Sequence, residues 1–202
     1  MTSAMATRSA TIKRKTGETD VRLSLGLEGT GAGTRSTGVG FLDHMLDLLA
    51  RHGHLDLDVK VSGDLETGAH HTVEDTAIVL GQALDAALGD RAGIVRYGSA
   101  TVPMDEARAS CSIDISGRPY TSFEGQLPPG STGGFEHELT EEFFRALANA
   151  AKLTLHVRID AGSNAHHMIE AAFKAFARAL RQAVAADPSE TGVPSTKGTL
   201  TA

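Results

Sequence analysis

Alternation of apolar and polar residues predicts the β-strands of this chain. The segments 9–15 and 19–27 alternate on either side of Gly17 and predict a hairpin. In the segment 55–61, apolar residues alternate with Asp56, Asp58 and Lys60, which is typical of a half-buried strand. The same pattern predicts further strands at 94–102, 107–115 and 153–159. The strands are short and spread along the whole length, so we expect sheets in both halves.

Apolar residues spaced three and four positions apart predict helices between these strands. Two such stretches occur in the first half and two in the second, at 41–53, about 70–88, 138–152 and about 164–186. The glycine-rich segment 26–40 matches no complete phosphate-binding pattern, and we interpret it as a mobile loop. The Gly/Pro-rich stretch 125–134 and the polar tail from 188 onward are not expected to form core elements.

The order of predicted elements occurs twice. The motif His-His-x-x-Glu at His70 recurs at His166, 96 positions further along. At the same offset, Leu57 maps onto Leu153 and the alternating strands match. We therefore predict an α+β fold with two related sheets, built from duplicated strand-strand-helix-strand-helix half-domains. The predicted organisation is a single domain, 1–202, with repeats at roughly 9–92 and 93–187 and a C-terminal tail at 188–202.

Composition and charge exclude several classes of protein. Lys and Arg total 19 against 25 Asp and Glu, a net charge of −6, and this disfavours a general nucleic-acid binder. One Cys in 202 residues allows no internal disulfide and suits a reducing compartment. No apolar run approaches the roughly 20 residues that cross a bilayer, and the first residues lack the apolar stretch of a secretory signal. We expect a cytoplasmic protein with neither nucleic acid nor membrane as partner.

Nine histidines are an unusual number for this composition, and most of them fall into a pattern. On a helix, His70 and Glu74 lie on one face within reach of one cation, whereas His71 is rotated by about 100°. Adjacent histidines therefore suit two ions better than one. His44 and His137 precede the two motifs at a similar separation, 93 positions. The resulting set forms two predicted sites of three His and one Glu each: His44, His70, His71, Glu74, His137, His166, His167 and Glu170.

The types of donor atom limit which metal ions the predicted sites would bind. A lone His at a helix start is usually a cap or a surface residue, but two matched motifs favour a paired metal site. Imidazole and carboxylate without thiolate suit Mn, Fe, Co, Ni or Zn. Four protein ligands leave open positions only on a five- or six-coordinate ion, which favours Mn or Fe(II) over a closed tetrahedral Zn site.

Several motifs along the chain resemble one known family. They are LDHM, HHTVED, DEA, SGRP, HHMIEAAFKAFARAL and a terminal STKG. In this order, over about 10–198, they are similar to imidazoleglycerol-phosphate dehydratase. The main visible departure is the loop at 120–136. The resemblance implies helices packed between two four-stranded sheets (a ribosomal protein S5 domain 2-like fold), two Mn²⁺ ions per active site, and a homo-oligomer. That assembly is a shell of twenty-four subunits built from trimers, with active sites at subunit contacts.

The resemblance also implies roles for individual residues. It assigns the metal role to the eight histidines and glutamates above; we expect His70 with Glu74 on one ion and His166 with Glu170 on the other. The remaining histidines would cross between repeats or between chains. The implied substrate is a small phosphorylated imidazole, and the resemblance implies that five residues bind its phosphate: Arg96, Arg118, Lys174, Ser195 and Lys197. Taken singly, each of these residues is typical of a solvated surface. Substrate contacts are also expected from Glu18, His44, His70 and His166.

The implied reaction is the loss of water from imidazoleglycerol phosphate to give imidazoleacetol phosphate. The proton to be removed is poorly acidic, and two metals flanking the substrate imidazole would lower the barrier by stabilising an imidazolate. Acid/base candidates outside the metal set are Glu18, Asp105 and Glu106, and Glu170 of the metal set is also expected to be catalytic. Glu18 is favoured because the family's K-x-E-T pattern matches T-G-E-T here with only the Lys replaced. As a plain alternative, Glu18 is a charged hairpin residue.

Two other functions fit the same metal pattern. One is a hydrolase that uses a metal-bound hydroxide, which would release inorganic phosphate from the substrate. The other is a non-catalytic shell that stores cations, which would bind Mn and leave imidazoleglycerol phosphate unchanged.

Overall fold

The computed structural model describes residues 8–200, which form four α-helices and ten strands. Residues 1–7 and 201–202 lie outside the described range. The first half contains β1 (Ser9–Lys15), β2 (Thr19–Gly26), β3 (Arg35–Ser36), α1 (Gly40–Gly53), β4 (Asp56–Gly63), a 3₁₀ turn (Leu65–Thr67) and α2 (His70–Leu88). The second half contains β5 (Tyr97–Met104), β6 (Ala107–Asp114), β7 (Tyr120–Glu124), β8 (Ser131–Thr132), β9 (Phe135–Glu136), α3 (Leu139–Ala151), β10 (Thr154–Ala161) and α4 (Ala165–Val184).

Two four-stranded sheets have the same topology. Their strand orders are β1-β2-β4-β3 and β5-β6-β10-β7, and in each the last strand pairs in parallel while the others are antiparallel. The predicted α+β class with two four-stranded sheets and four helices is confirmed. β8 and β9 form a separate small hairpin that was not predicted.

The helices lie between the two sheets. α2 packs on β1 and β2, α4 packs on β5 and β6, and the layers meet where α1 contacts α4 and α2 contacts α3. The alternation predicted from sequence places Val21, Leu23 and Leu25 of β2 in the core. Cys111 of β6 is also buried, and this burial raises the pKa of its thiol. Among residues 8–200, no helix combines the length and apolar character needed to cross a membrane.

The glycine-rich segment 26–40 differs from the expected mobile loop. Asp56 Oδ1 accepts hydrogen bonds from the backbone N–H groups of Thr30 and Ala32, at 2.8 and 3.0 Å. Asp58 Oδ1 accepts from the backbone N–H of Thr34 at 2.9 Å, directly before β3. The loop is therefore fastened to β4 by carboxylates whose role no apolar pattern signals. β3 and β7 were missed because they are short edge strands without alternating burial.

The register of the repeat differs from the single offset expected. β4 and β10 have matching burial when Leu57 is aligned with Leu155, not Leu153, an offset of 98. α1 and α3 also end 98 positions apart, at the left-handed residues His54 and Lys152. Only α2 and α4 keep the offset of 96, because the stretch from the end of β10 to His166 is two residues shorter than the stretch from the end of β4 to His70. A shift of two preserves strand alternation, so periodicity alone could not reveal it.

The C-terminal segment after α4 packs against residues of both halves. The guanidinium of Arg91, which is fully buried, donates to the carbonyl of Leu200 at 2.5 Å and to Asp85 at 2.5 Å. Arg96 donates to the carbonyl of Pro194 at 2.7 Å. Leu200 is itself buried, so the end of the predicted tail contributes to the core although its composition suggested otherwise.

Candidate metal centre and phosphate cavity

One group of metal-ligating side chains is assembled between α1 and α4. We call His44, His166 and Glu170 the α1–α4 cluster; their donor atoms all lie within 4.8 Å of one another. Glu170 Oε1 lies 2.8 Å from His166 Nε2 and 3.2 Å from His44 Nε2. The side chain of Asn164 accepts from the backbone N–H of His166 and fixes the start of α4, so that His166 and Glu170 are one turn apart on the same face.

Glu170 is buried and ionised. Its side chain is 7% exposed, and Lys174 Nζ lies 2.6 Å from Oε2, one helical turn further on. Burial alone would raise the pKa of Glu170, but hydrogen bonds from Lys174, His44 and His166 outweigh it and lower the pKa to about 2. The cluster therefore presents a fixed negative charge with Oε1 turned toward two imidazoles.

The corresponding pair on α2 is open. His70 Nε2 and Glu74 Oε2 are 3.8 Å apart, with side chains 56% and 39% exposed. Glu142 of α3 lines a shallow cavity together with His70, and it forms an ion pair with Arg145. By the register of α1 and α3, Glu142 is the position equivalent to His44, 98 residues apart. We call His70, Glu74 and Glu142 the α2–α3 cluster; the offset of 96, taken from the helices that follow, did not align Glu142 with His44.

The pairing of His44 with His137 is corrected by this register. His137 ends the segment that contains the β8–β9 hairpin and lies before α3. Its Nδ1 lies 2.7 Å from the carbonyl of Pro128, and its Nε2 lies 3.0 Å from Thr132 Oγ1. Both ring nitrogens are thus engaged within the loop. A metal role for His137 stays a prediction, and it would require these two contacts to break.

The second histidine of each motif, His71 or His167, lies beside carboxylates and points away from the first histidine. The rings of His70 and His71 are 90° apart and those of His166 and His167 are 83° apart, as expected for residues serving different directions. His71 lies between Asp64 at Nδ1 and Glu18 at Nε2, at 3.0 and 3.6 Å. The hydrogen bond with Asp64 raises the pKa of His71.

His167 has equivalent surroundings made from different residues. Its Nδ1 lies 2.7 Å from Glu106 Oε2, and its Nε2 lies 3.8 Å from Asp105 Oδ2. The hydrogen bond with Glu106 raises the pKa of His167. Hydrogen bonds from His167 and the backbone N–H of Asn164 lower the pKa of Glu106 to about 2. Asp64 was not predicted from the sequence. It lies six residues before the His-His pair, and this separation matches no recognisable motif.

Four of the five predicted phosphate residues line one cavity of about 790 Å³: Arg96, Arg118, Ser195 and Lys197. The guanidinium of Arg96 is held by Asp114, at 2.7 and 3.1 Å, which raises its pKa. Lys174 is not part of this cavity and lies at the α1–α4 cluster instead. Within residues 8–200 of one chain, the predicted ligands thus form separate groups and no closed pair of metal sites.

Comparisons with known proteins show which family this chain is similar to. A sequence model of imidazoleglycerol-phosphate dehydratase matches residues 37–180. The imidazoleglycerol-phosphate dehydratase of Moorella thermoacetica is 58% identical over 193 residues, covering 96% of this chain and 98% of that protein. That of Symbiobacterium thermophilum is 57% identical over 199 residues, covering 98% and 96%.

Solved structures give the same result. The enzyme of Staphylococcus aureus superposes with a TM-score of 0.80 at 43% identity, covering 88% of this chain and 99% of that one. The enzyme of Pyrococcus furiosus gives 0.80 at 36% identity, covering 94% and 100%. With agreement in sequence over nearly the full length and in fold, the chain belongs to the imidazoleglycerol-phosphate dehydratase family.

Proposed function

We propose that this hydro-lyase of histidine biosynthesis removes water from D-erythro-imidazoleglycerol phosphate to form imidazoleacetol phosphate, with two Mn²⁺ ions in each active site. The observation that carries the proposal is the convergence of His44, His166 and Glu170 within 4.8 Å. These residues come from helices of different repeats and have a buried, ionised carboxylate at their centre. Such an arrangement suits a cation better than a structural hydrogen-bond network, because it gathers several lone pairs around one point.

The donor chemistry of the α1–α4 cluster fits manganese. Two imidazoles and one carboxylate belong to the ligand types that Mn shares with Fe, Co, Ni and Zn. Glu170 stays charged at neutral pH, since its pKa is about 2. Lys174 occupies Oε2 and leaves Oε1 for the cation. When bound, the metal ions supply Lewis acidity that stabilises negative charge on the substrate imidazole.

The remaining predicted ligands require a neighbouring subunit. His70 and Glu74 are exposed and lie in the α2–α3 cluster, while His71 and His167 point elsewhere. Because one chain leaves these donors dispersed over its surface, we propose that active sites form at contacts between copies in a homo-oligomer. Trimers assembled into twenty-four subunits are the proposed form. His137 would join such a site only after leaving its loop contacts.

The phosphate of the substrate would bind in the cavity lined by Arg96, Arg118, Ser195 and Lys197. Asp114 and Pro194 hold the Arg96 guanidinium in place, so its charge contributes without a further loss of side-chain entropy. Arg118 and Lys197 supply further donors to an anion. Lys174 would reach the same phosphate only where a subunit contact brings this cavity to the α1–α4 cluster.

Proton transfer is assigned to carboxylates beside the second histidines. Glu18 Oε1 lies 3.6 Å from His71 Nε2, and Asp105 Oδ2 lies 3.8 Å from His167 Nε2. Each carboxylate is therefore next to a predicted metal ligand and within reach of a substrate bound there. Glu18 is the preferred base. Glu170, at a pKa of about 2, is a weak base and contributes as a ligand.

A turnover assay tests the proposal. The enzyme is stripped of metal with a chelator, Mn²⁺ is restored, and imidazoleacetol phosphate and inorganic phosphate are both measured. Formation of imidazoleacetol phosphate only after Mn²⁺ is returned supports the proposal. Release of inorganic phosphate would indicate a hydrolase, and Mn²⁺ binding with unchanged substrate would indicate a storage shell. We also propose a cytoplasmic location, where the lone thiol of Cys111 stays reduced.

A further inference from the structure

Two β-hairpins present glutamates at equivalent positions of the two repeats. The turns between β1 and β2 and between β5 and β6 contain Glu18 and Glu106, each directly before the second strand of its hairpin. Each glutamate lies beside the second histidine of its own repeat, but at opposite ring nitrogens. Glu18 lies nearest Nε2 of His71, whereas Glu106 lies at Nδ1 of His167. The glutamate at the end of each hairpin turn therefore contacts a different ring nitrogen of the second histidine in the two repeats.

Repeat one has a second carboxylate for the Nδ1 atom. Asp64, directly after β4, lies 3.0 Å from His71 Nδ1. The hydroxyl of Thr67 in the following 3₁₀ turn donates to the same carboxylate at 3.2 Å. With Asp64 at Nδ1, the hairpin glutamate of this repeat is left to face Nε2.

Repeat two has no carboxylate at the equivalent position of the sequence. The position equivalent to Asp64, 98 residues on, is Gly162, with a φ of +144°. A Cβ there would lie 2.4 Å from the side chain of Met168, so a carboxylate does not fit. Glu106 fills the role instead: Oε2 accepts from His167 Nδ1 at 2.7 Å, and Oε1 accepts from the backbone N–H of Asn164 at 2.9 Å.

We propose that Asp64 and Glu106 are positioning residues that orient His71 and His167 toward the metal ions, and that Glu18 alone of the two hairpin glutamates is available for proton transfer. An ionised carboxylate only accepts hydrogen bonds, so Nδ1 of each imidazole carries a proton, and in the neutral ring that binds a cation the lone pair is on Nε2. Such outer carboxylates fix ring orientation and raise ligand basicity. The inference rests on the proposed metal role of the two histidines.

Metal affinity measured by calorimetric titration of the chelator-stripped protein with MnCl₂ tests the positioning role without any turnover. Asp64→Ala and Glu106→Ala should each weaken Mn²⁺ binding about 10- to 100-fold. Asp64→Asn and Glu106→Gln should stay within a few-fold of wild type, since the amide oxygen still accepts from Nδ1–H. Glu66→Ala, which removes an exposed carboxylate from the same loop as Asp64, is the matched control and should bind normally.

Turnover separates the two hairpin glutamates. Glu18→Gln should lower kcat by about 10²-fold or more with unchanged Mn²⁺ affinity, whereas Glu106→Gln should lower kcat by much less than Glu18→Gln does. Alanine variants that bind Mn²⁺ like wild type, or a Glu106→Gln enzyme as slow as Glu18→Gln, would overturn the inference. Absence of Mn²⁺ binding by the wild-type protein would instead remove the proposed metal function, so the two failures are distinguishable. Thermal unfolding of each variant confirms that it is folded.

Discussion

The two copies of the His-His-x-x-Glu motif have the same spacing and different surroundings. In the α1–α4 cluster, Glu170 is 7% exposed and contacts two imidazoles and a lysine. In the α2–α3 cluster, Glu74 is 39% exposed and its nearest imidazole nitrogen, on His70, is 3.8 Å away. The first copy is ready to receive a cation within one chain, and the second is open to solvent or to a neighbouring subunit.

Two neighbouring positions account for this difference. One turn after Glu170 lies Lys174, which neutralises the buried carboxylate, whereas one turn after Glu74 lies Ile78. The facing helix supplies His44 in one case and Glu142 in the other. Glu142 is an anionic side chain paired with Arg145, so α3 supplies no second imidazole here. The motif therefore sets the spacing of the donors, and the next turn and the facing helix set their charge and burial.

Replacing each glutamate by glutamine tests this comparison most strongly. Glu170→Gln removes charge-assisted hydrogen bonds and leaves Lys174, at 15% exposure, without its counter-ion. We expect it to lower the free energy of unfolding of the metal-free protein by about 2–3 kcal/mol. Glu74→Gln, at an exposed and loosely paired site, should change it by less than about 0.5 kcal/mol. Urea denaturation in the presence of a chelator measures both. Equal effects of the two substitutions would mean that the contacts of Glu170 stabilise the metal-free protein no more than those of Glu74.

The helix pairs that carry the clusters provide the next test. A Cβ on Gly81 of α2 would lie 2.5 Å from the carbonyl oxygen of Leu147 and 2.7 Å from Cβ of Ala150. On the other pair, a Cβ on Gly53 of α1 would lie 3.2 Å from the flexible end of Leu55. The first contact involves backbone that cannot move aside, and the second does not.

Gly81→Ala should therefore destabilise the protein by about 1–2 kcal/mol, the strain of overpacking less the gain in helix propensity. Gly53→Ala should remain within about 0.5 kcal/mol of wild type, because the gain in propensity offsets a small side-chain shift. Thermal unfolding of the two variants at matched subunit concentration checks this. A stable Gly81→Ala protein would mean that α2 and α3 can separate without loss.

Much of the fold followed from periodicity because most of its elements are amphipathic. α2 was predicted from His70 to Leu88 and β1 from Ser9 to Lys15, with the bounds that the structure has. β3 and β7 were missed, since a two-residue strand and an edge strand of intermediate burial carry no alternation. Their parallel pairing with β4 and β10 depends on contacts distant in sequence, which no local pattern encodes.

The candidate site was predictable where motif spacing determines geometry. His166 and Glu170 share a face because a helix has 3.6 residues per turn, and their contact at 2.8 Å follows from that. The position equivalent to His44 could not be predicted from the motif spacing, because the repeat changes register by two residues between α3 and α4. Asp64 was missed for a related reason: a loop conformation, rather than a periodic element, brings it to His71.

Lys174→Met makes the α1–α4 cluster resemble its counterpart, where the equivalent residue is apolar. Hydrogen bonds from Lys174, His44 and His166 hold the pKa of Glu170 near 2. Glu170 therefore contributes stability above the ordinary pKa of about 4.3 that is lost as pH falls toward 2. Without Lys174 the pKa of Glu170 rises, so this loss should begin at higher pH, with a destabilisation of about 1 kcal/mol at neutral pH. Urea denaturation of metal-free protein between pH 3 and 7 measures both. An unchanged pH profile would show that the imidazoles alone hold the charge.

The smallest expected effect concerns the loops that join the two sheets to their helices. Asp56 holds the segment 26–40 through the backbone N–H groups of Thr30 and Ala32, and these bonds lower its pKa. The equivalent residue in repeat two, 98 positions on, is Thr154, which does not titrate and instead shares a hydrogen bond with Ser116 at 2.9 Å.

Asp56→Asn keeps an acceptor and loses only the charge, so it should destabilise the protein at neutral pH by less than Lys174→Met does. Since a lowered pKa stabilises the folded state above the ordinary value near 4, the difference from wild type should shrink as pH falls through that range. Thr154→Val, the control in the other repeat, should give a difference that is independent of pH. Urea denaturation of the metal-free protein from pH 3 to 7 measures both. A pH-independent Asp56→Asn effect would mean that the loop is held by geometry rather than by charge, as it is in repeat two.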